Sequence, residues 1–390
     1  MFLTLLITSQ LKASKEMITA PPAQIGASID EIDTPALVVD LDAFERNIEK
    51  MAEYVAKTGV RLRAHAKTHK SSEVAKKQIA AGAIGQCVQK VGEAEALVQG
   101  GIRDVLVTNQ IVGQEKLHRL ARLAHQATIG LCFDDPLQVR AASEAARKEG
   151  VTIDGYVEID TGMSRCGVKS GVIAAELANQ IAQAKGLKLS GIQAYHGSAQ
   201  HLPTAAERQA EIMKAIGLVK ETQEALKKLG LEAPIVTGAG TGTFRIEAES
   251  GVYTELQAGS YAFMDVDYAV IKDERGNDYS EFEHSLFVLS TIMSVAGESW
   301  VVADAGLKSY SGEKGPPRVH KRPGLAVVSM SDEHGKISVA PGTERPKLGD
   351  KVLLIPGHCD PTINLHNSYV CVRNGRVEEI WEIDARGASR

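Results

Sequence analysis

An α/β fold built from an eight-stranded (β/α) barrel and a C-terminal, mostly antiparallel β-domain is what this sequence predicts. Two observations carry the prediction. Short apolar strands alternate with amphipathic helices seven or eight times over about 240 residues, the pattern of a parallel sheet. Past Ser285 the pattern gives way to short strands with few helical stretches. The predicted units are a disordered extension over 1–28, a barrel over 29–282 and a β-domain over 283–390. A doubly wound open sheet is the structural alternative to the barrel.

The elements follow in order. ALVVDL (36–41) reads as a strand, free to join either unit. Phe44, Ile48, Met51 and Val55 then recur at helical spacing, with Asp42 as the cap. VRLRAHAK is the next strand and SSEVAKKQIAAG its helix. GQCVQK, DVLVTNQ and TIGLCFDD repeat the alternation, each followed by a helical stretch. IDGYVEIDTG, LSGIQAYHG and APIVTGAGTGT continue it, with a long helix from about Thr204 to Leu229 between the last two. In the β-domain, Asn374-Gly375 is a two-residue hairpin signal.

Composition excludes some functions. The net charge is -5, which gives no global attraction to nucleic acid or an anionic membrane. Five cysteines without a CxxC pair argue against a disulfide framework or structural zinc, and for a reduced, cytoplasmic setting. MFLTLLITSQ is apolar but short and lacks a basic start, so it reads as an extension rather than a leader, with Met17 as a plausible natural start. No run of about 18 apolar residues predicts a membrane span.

In such barrels reactive groups lie at the C-terminal strand ends. Within VRLRAHAKTHK, strand alternation puts Arg61, Arg63, His65, Lys67 and His69 on one face. A solvated edge strand would explain that face. A barrel interior built around an anionic ligand, with Lys67 at the mouth, explains it too. Tyr156, Glu158 and Asp160 share a face in YVEIDTG, and Gln193 and Tyr195 share one in GIQAYHG, with His196 just beyond. Buried polar groups are costly unless paired, so their convergence points to a polar pocket. The glycines and hydroxyls of TGAGTGT (237–243) can cradle a phosphate, and AGSYAFMD (258–265) can close the same cup. By itself such a turn is a weak signal. In GHCDPT (357–362), His358 and Asp360 face the same side if the segment is extended, and their donor types suit Mn²⁺ or Mg²⁺. A surface turn with a capping Asp fits the same residues.

These pieces, with DTPALVVDLDAFERNI, EIDTGMSRCGV and ELQAGSYAFMD, run in order from about Ile32 to Leu365. Together they resemble the fold-type III pyridoxal-phosphate enzymes related to alanine racemase, within them the D-threonine aldolase and D-serine dehydratase group. The resemblance implies a homodimer with its site at the junction of barrel and β-domain. It implies that Lys67 forms the Schiff base with pyridoxal 5'-phosphate, Arg165 contacts the ring oxygen and Tyr195 faces the pyridine nitrogen. It further implies that Gly240, Thr241, Gly259 and Ser260 cradle the phosphate. His358 and Asp360 would bind the divalent metal, and His201 is the candidate substrate-side base. The implied reaction is retro-aldol cleavage of D-threonine and other D-β-hydroxy-α-amino acids to glycine and an aldehyde. The alternatives are a D-serine or D-threo-3-hydroxyaspartate dehydratase, whose pattern puts Cys where Asp360 stands, and a non-catalytic cofactor-binding protein. Alanine racemases use a tyrosine base from the second domain; Tyr310 is the nearest candidate here, in a context that matches poorly.

Overall fold

The computed structural model describes residues 20–390. Residues 1–19, most of the predicted extension, lie outside them. The rest of that segment already packs: the Gly26 N–H donates to the Val377 carbonyl at 2.8 Å, so ordered chain begins before residue 29.

The first strand, β1 (Ala36–Asp40), stays out of the barrel. The helix after it, Leu41–Thr58, is capped by Asp40, whose Oδ1 accepts from the Ala43 N–H at 3.1 Å. Asp42, the predicted cap, instead pairs with Arg373 on the helix surface. This helix buries Leu41, Phe44, Ile48, Met51 and Val55 on one face. Each full burial of that kind contributes about 1.5–3 kcal/mol.

Eight parallel strands then close on themselves: β2 (Arg61–His65), β3 (Gly85–Val88), β4 (Asp104–Val107), β5 (Thr128–Phe133), β6 (Ile153–Glu158), β7 (Leu187–Ala194), β8 (Ile235–Gly238) and β9 (Glu255–Leu256). The closing strand is the two-residue β9, hydrogen-bonded to both β8 and β2. It was hidden in the sequence because two residues carry no periodicity. The long helix runs Ala205–Lys228, opened by a Thr204–Glu207 capping box.

The barrel is filled, not hollow. Tyr156 lies inside with Cys87, Leu106 and Cys132. It fits because β5 and β7 carry glycines: a Cβ on Gly191 would lie 2.9 Å from the Tyr156 ring, and one on Gly130 would lie 3.1 Å from it. Arg63 also points inward, so its charge does not await a ligand. Its Nε donates to Glu255 Oε1 at 3.0 Å and its Nη1 pairs with Asp104. Thr237 Oγ1 donates to the same Glu255 oxygen at 2.9 Å. Glu255→Gln strips a buried arginine of one of its two carboxylate partners. We expect it to cost about 1.5–3 kcal/mol, read by urea unfolding, because a charge-assisted hydrogen bond is lost while Asp104 still pairs with the arginine.

The second sheet has the order β13-β14-β11-β10-β1-β16-β17, from strands β10 (Leu286–Ser294), β11 (Trp300–Ala303), β12 (Arg318–Val319), β13 (Leu325–Met330), β14 (Gly335–Val339), β15 (Lys351–Ile355), β16 (Ser368–Arg373) and β17 (Arg376–Glu382). β15 pairs with β10 and β12. Neighbours are antiparallel except β1 and β16. Asn374 (φ 50°) and Gly375 (φ 73°) make the β16–β17 turn, the left-handed geometry that a tight hairpin demands. Among the described residues no helix is long and apolar enough to cross a membrane.

This sheet grips the barrel next to Lys67. Tyr369 donates its hydroxyl to the His69 carbonyl at 2.5 Å, and Ser71 Oγ donates to the Glu382 carbonyl at 2.7 Å. The Ala385 N–H reaches the Lys70 carbonyl at 3.0 Å. The turn after β2 is therefore held by the β-domain.

Candidate active site

Lys67 leaves the C-terminal end of β2 and turns into a cavity of about 300 Å³ that His65, Arg165, Gln193, Tyr195 and Gln257 help to line. A larger groove of about 1050 Å³ lies between the Ala205–Lys228 helix and residues 273–281, and contains none of these side chains. We take the smaller cavity as the site because the strand ends converge there.

The Lys67 ammonium pairs with Asp360 Oδ2. Burial works against the charged amine, but the adjoining Asp360 carboxylate outweighs it and raises the lysine above its ordinary range. Burial likewise opposes ionisation of Asp360, and Lys67 with His358 holds that carboxyl well below the usual range. The other Asp360 oxygen, Oδ1, is 3.9 Å from His358 Nε2. One carboxylate thus faces the lysine on one side and the imidazole on the other.

The 358–360 segment differs from the extended strand expected. Cys359–Ile363 is a short helix and His358 its N-cap residue (φ -144°, ψ 124°). The helix turns because the buried Asp265 accepts the Cys359 N–H at 2.9 Å. His358 and Asp360 still meet, through the bend at the cap rather than through strand alternation. Cys359 is fully buried beneath them, and burial pushes its thiol well up.

His201 ends a short turn, Ser198–His201, with Nδ1 3.2 Å from Asp267 Oδ2. That approach is too oblique for a hydrogen bond, and neither buried atom makes another, although Lys314 Nζ lies 3.4 Å from Asp267 Oδ2. Burial lowers the His201 pKa; Asp267 opposes this, while Lys314, His358 and Lys67 add to it. The ring is therefore neutral at neutral pH and can accept a proton.

Arg165 sits over the Tyr195 ring, 5.8 Å from its centroid, and both line the cavity. Burial raises the Tyr195 phenol, so it stays protonated. Gly240 and Thr241 follow β8, and Gly259 and Ser260 follow its neighbour β9, outside the cavity's lining. Their environment is close-fitting: a Cβ on Gly259 would meet the His65 carbonyl oxygen at 2.6 Å, and one on Gly240 would meet Gln200 Oε1 at 2.5 Å. The hydroxyls of Thr241 and Thr68 are buried without a partner. Unpaired buried hydroxyls beside glycine backbone suit an anion's oxygens.

Several expected residues do other work. Tyr310 is buried in the β-domain, its hydroxyl donating to the Ala305 carbonyl at 3.0 Å, and it is no base. His69 is buried against Gln86 at 3.3 Å and is pushed down to about 4 by burial. Asp160 accepts the Gly162 and Ser164 N–H groups at 2.9 and 3.1 Å, shaping the loop that carries Arg165. Other residues escaped the sequence reading. Gln89 and Thr108 bracket His65, the Gln89 amide and the Thr108 hydroxyl each 3.0 Å from its Nε2. Both lie one residue past a strand end, and the strand-end rule alone could have found them. Asp267 and Glu313 carried no such signal.

The fold and the site define a class. Residues 39–267 match the family described as alanine racemase, N-terminal domain, and residues 285–372 match the one described as putative serine dehydratase domain. The chain belongs to this alanine racemase-like family, in the group that holds the D-threonine aldolases. It is 47% identical over 370 residues to 3-hydroxy-D-aspartate aldolase of Paracoccus denitrificans (strain Pd 1222), covering 94% of this chain and 95% of that protein. It is 45% identical over 373 residues to D-threonine aldolase of Arthrobacter sp, covering 95% of this chain and 97% of that protein. The crystal structure of D-threonine aldolase from Filomicrobium marinum superposes with a TM-score of 0.91 at 44% identity, covering 95% of this chain and all of that one. Membership of this family implies pyridoxal phosphate as cofactor.

Proposed function

We propose that this chain is a carbon–carbon lyase that cleaves D-β-hydroxy-α-amino acids to glycine and an aldehyde, using pyridoxal phosphate and a divalent cation. The observation that carries the reading is Asp360, placed between the Lys67 amine and the His358 imidazole. A cofactor lysine and a cation pair are thereby joined across two domains.

The residues fit both groups. Lys67 supplies the amine that holds the cofactor. Arg165 and Tyr195 flank the ring, while Gly240, Thr241, Gly259 and Ser260 offer the phosphate cup, with the unpaired Thr241 hydroxyl as its clearest mark. His358 and Asp360 present one nitrogen and one oxygen 3.9 Å apart. That is within the span of two ligands of one ion bonded at about 2.1 Å. Among the described residues no group of three or more His, Cys, Asp or Glu forms a cage. Imidazole with carboxylate favours Mn²⁺ or Mg²⁺ over zinc.

When bound, the cofactor supplies an electron sink for the carbanion at Cα, and the cation acidifies the β-hydroxyl. His201 takes the β-hydroxyl proton. With that proton removed, cleavage of the Cα–Cβ bond would release the aldehyde, and return of the proton, directly or by exchange with solvent, to Cα would give glycine. His201→Ala should lower turnover by about 10²–10⁴-fold, the usual worth of a positioned base. Because burial lowers the His201 pKa, the acid limb of its rate profile should fall below the ordinary histidine value. Asp267→Asn removes the charge that raises that pKa, so the limb should move lower still. A limb that moves up in Asp267→Asn would reject His201 as the base.

We further read the working unit as a homodimer in the cytoplasm; the five unpaired cysteines suit a reducing compartment. The test of the activity is incubation with D- and L-threonine and with 3-hydroxy-D-aspartate, with and without Mn²⁺. Aldehyde plus glycine, from the D substrates only and dependent on Mn²⁺, is expected. An oxo acid plus ammonia would replace the lyase reading with the dehydratase one.

A further inference from the structure

His358 is itself held by a carboxylate, on a loop that supplies neither of the proposed metal ligands nor the proposed base. We propose that Glu313 is a positioning residue that sets metal affinity by fixing the imidazole of His358. The inference rests on the reading of His358 and Asp360 as the metal ligands.

The Glu313 carboxylate bonds His358 Nδ1. A carboxylate partner at Nδ1 favours the tautomer with its proton there, the one that would offer the Nε2 lone pair to a cation. Nε2 is the nitrogen that faces Asp360 Oδ1. Imidazole ligands commonly need such an outer carboxylate to fix tautomer and ring orientation.

The loop that brings Glu313, residues 311–317, is pinned at both ends to the His358 turn. The Ser311 N–H donates to Thr362 Oγ1 at 3.0 Å, and that hydroxyl donates to the His358 carbonyl at 2.8 Å. At the other end the Gly315 carbonyl presses on Gly357, where a Cβ would lie 2.6 Å from its oxygen. Only a glycine before His358 allows that approach. Between the pins, Lys314 reaches Asp267 Oδ2 at 3.4 Å, behind His201. The loop thus braces both the proposed cation ligand and the proposed base. The Glu313 side chain is 54% exposed, so its pair adds little to folding and its removal leaves the fold intact.

The experiment titrates the cofactor-loaded protein with Mn²⁺, following free Mn²⁺ by EPR. Glu313→Ala should bind Mn²⁺ about 10- to 100-fold more weakly, with thermal unfolding and cofactor absorbance unchanged. Glu313→Asp should recover part of the affinity. Glu313→Gln keeps an acceptor and decides the matter if the alanine variant unfolds early; it should bind several-fold more weakly. Wild-type affinity in Glu313→Ala or Glu313→Gln, beside lost affinity in His358→Ala and Asp360→Ala, overturns the inference alone. Wild-type affinity in those two ligand variants overturns the metal reading and this inference with it.

Discussion

Lys67→Ala is expected to abolish turnover of D-threonine and to remove the visible band of the bound cofactor. The amine enters the cavity from a turn that the β-domain holds, through Tyr369 on His69 and Ala385 on Lys70. Its position is thus built into the fold, and no neighbouring lysine lines the cavity to replace it. Lys67→Arg separates chemistry from charge. It retains a cation opposite Asp360, yet a guanidinium is too weak a nucleophile to hold an aldehyde. We expect Lys67→Arg to fold like the wild type and to be as inactive as the alanine variant. Either variant cleaving D-threonine at the wild-type rate would remove Lys67 from the mechanism.

Asp360→Ala should keep the cofactor band and lose about 10³-fold in metal-dependent turnover, since Lewis-acid stabilisation is worth several kcal/mol and each 1.36 kcal/mol is tenfold. Lys67 and His358 hold the Asp360 carboxyl well below the usual range against its burial. A depressed carboxyl gives stability that is present above its unfolded value and is lost as pH falls through the folded one. Asp360 is therefore ionised and ready for a cation throughout the neutral range. Chelating the wild-type metal should reproduce the variant's loss, and added Mn²⁺ should rescue the wild type but not Asp360→Ala. Full activity of a chelated wild type would dismiss the cation's role.

Much of this architecture was legible from residue order. The barrel strands announced themselves because each is short, apolar and followed by a helical stretch, and Asn374-Gly375 marked its hairpin by chemistry alone. Other features were not legible. The partner of β1 could not be read, since its strands lie at the far end of the chain. The charged face of β2 allowed a solvated edge strand or an interior built around an anionic ligand, and neither accounts for Arg63, which is satisfied inside the barrel by Glu255 and Asp104. Alternation reports which way a side chain points, not what waits there. The pairing of His358 with Asp360 was anticipated for the wrong geometric reason: a helix cap, set by Asp265 from another element, does what a strand was expected to do. Glu313 and Asp267 were invisible because only tertiary packing brings them near an imidazole.

The place of β1 also shapes how the protein is made. Val38 pairs with Phe287 and Val370, so a strand that leaves the ribosome early finds the first of its two neighbours only after roughly 250 further residues have been translated. At ordinary synthesis rates that is a wait of about ten to fifty seconds, with an apolar β-edge uncovered throughout. The barrel can close during that interval; the sheet cannot. A nascent chain stalled before β16 should therefore expose this edge to chaperones and to copies of itself, and severing the barrel from its neighbour at residue 284 would leave both fragments incomplete.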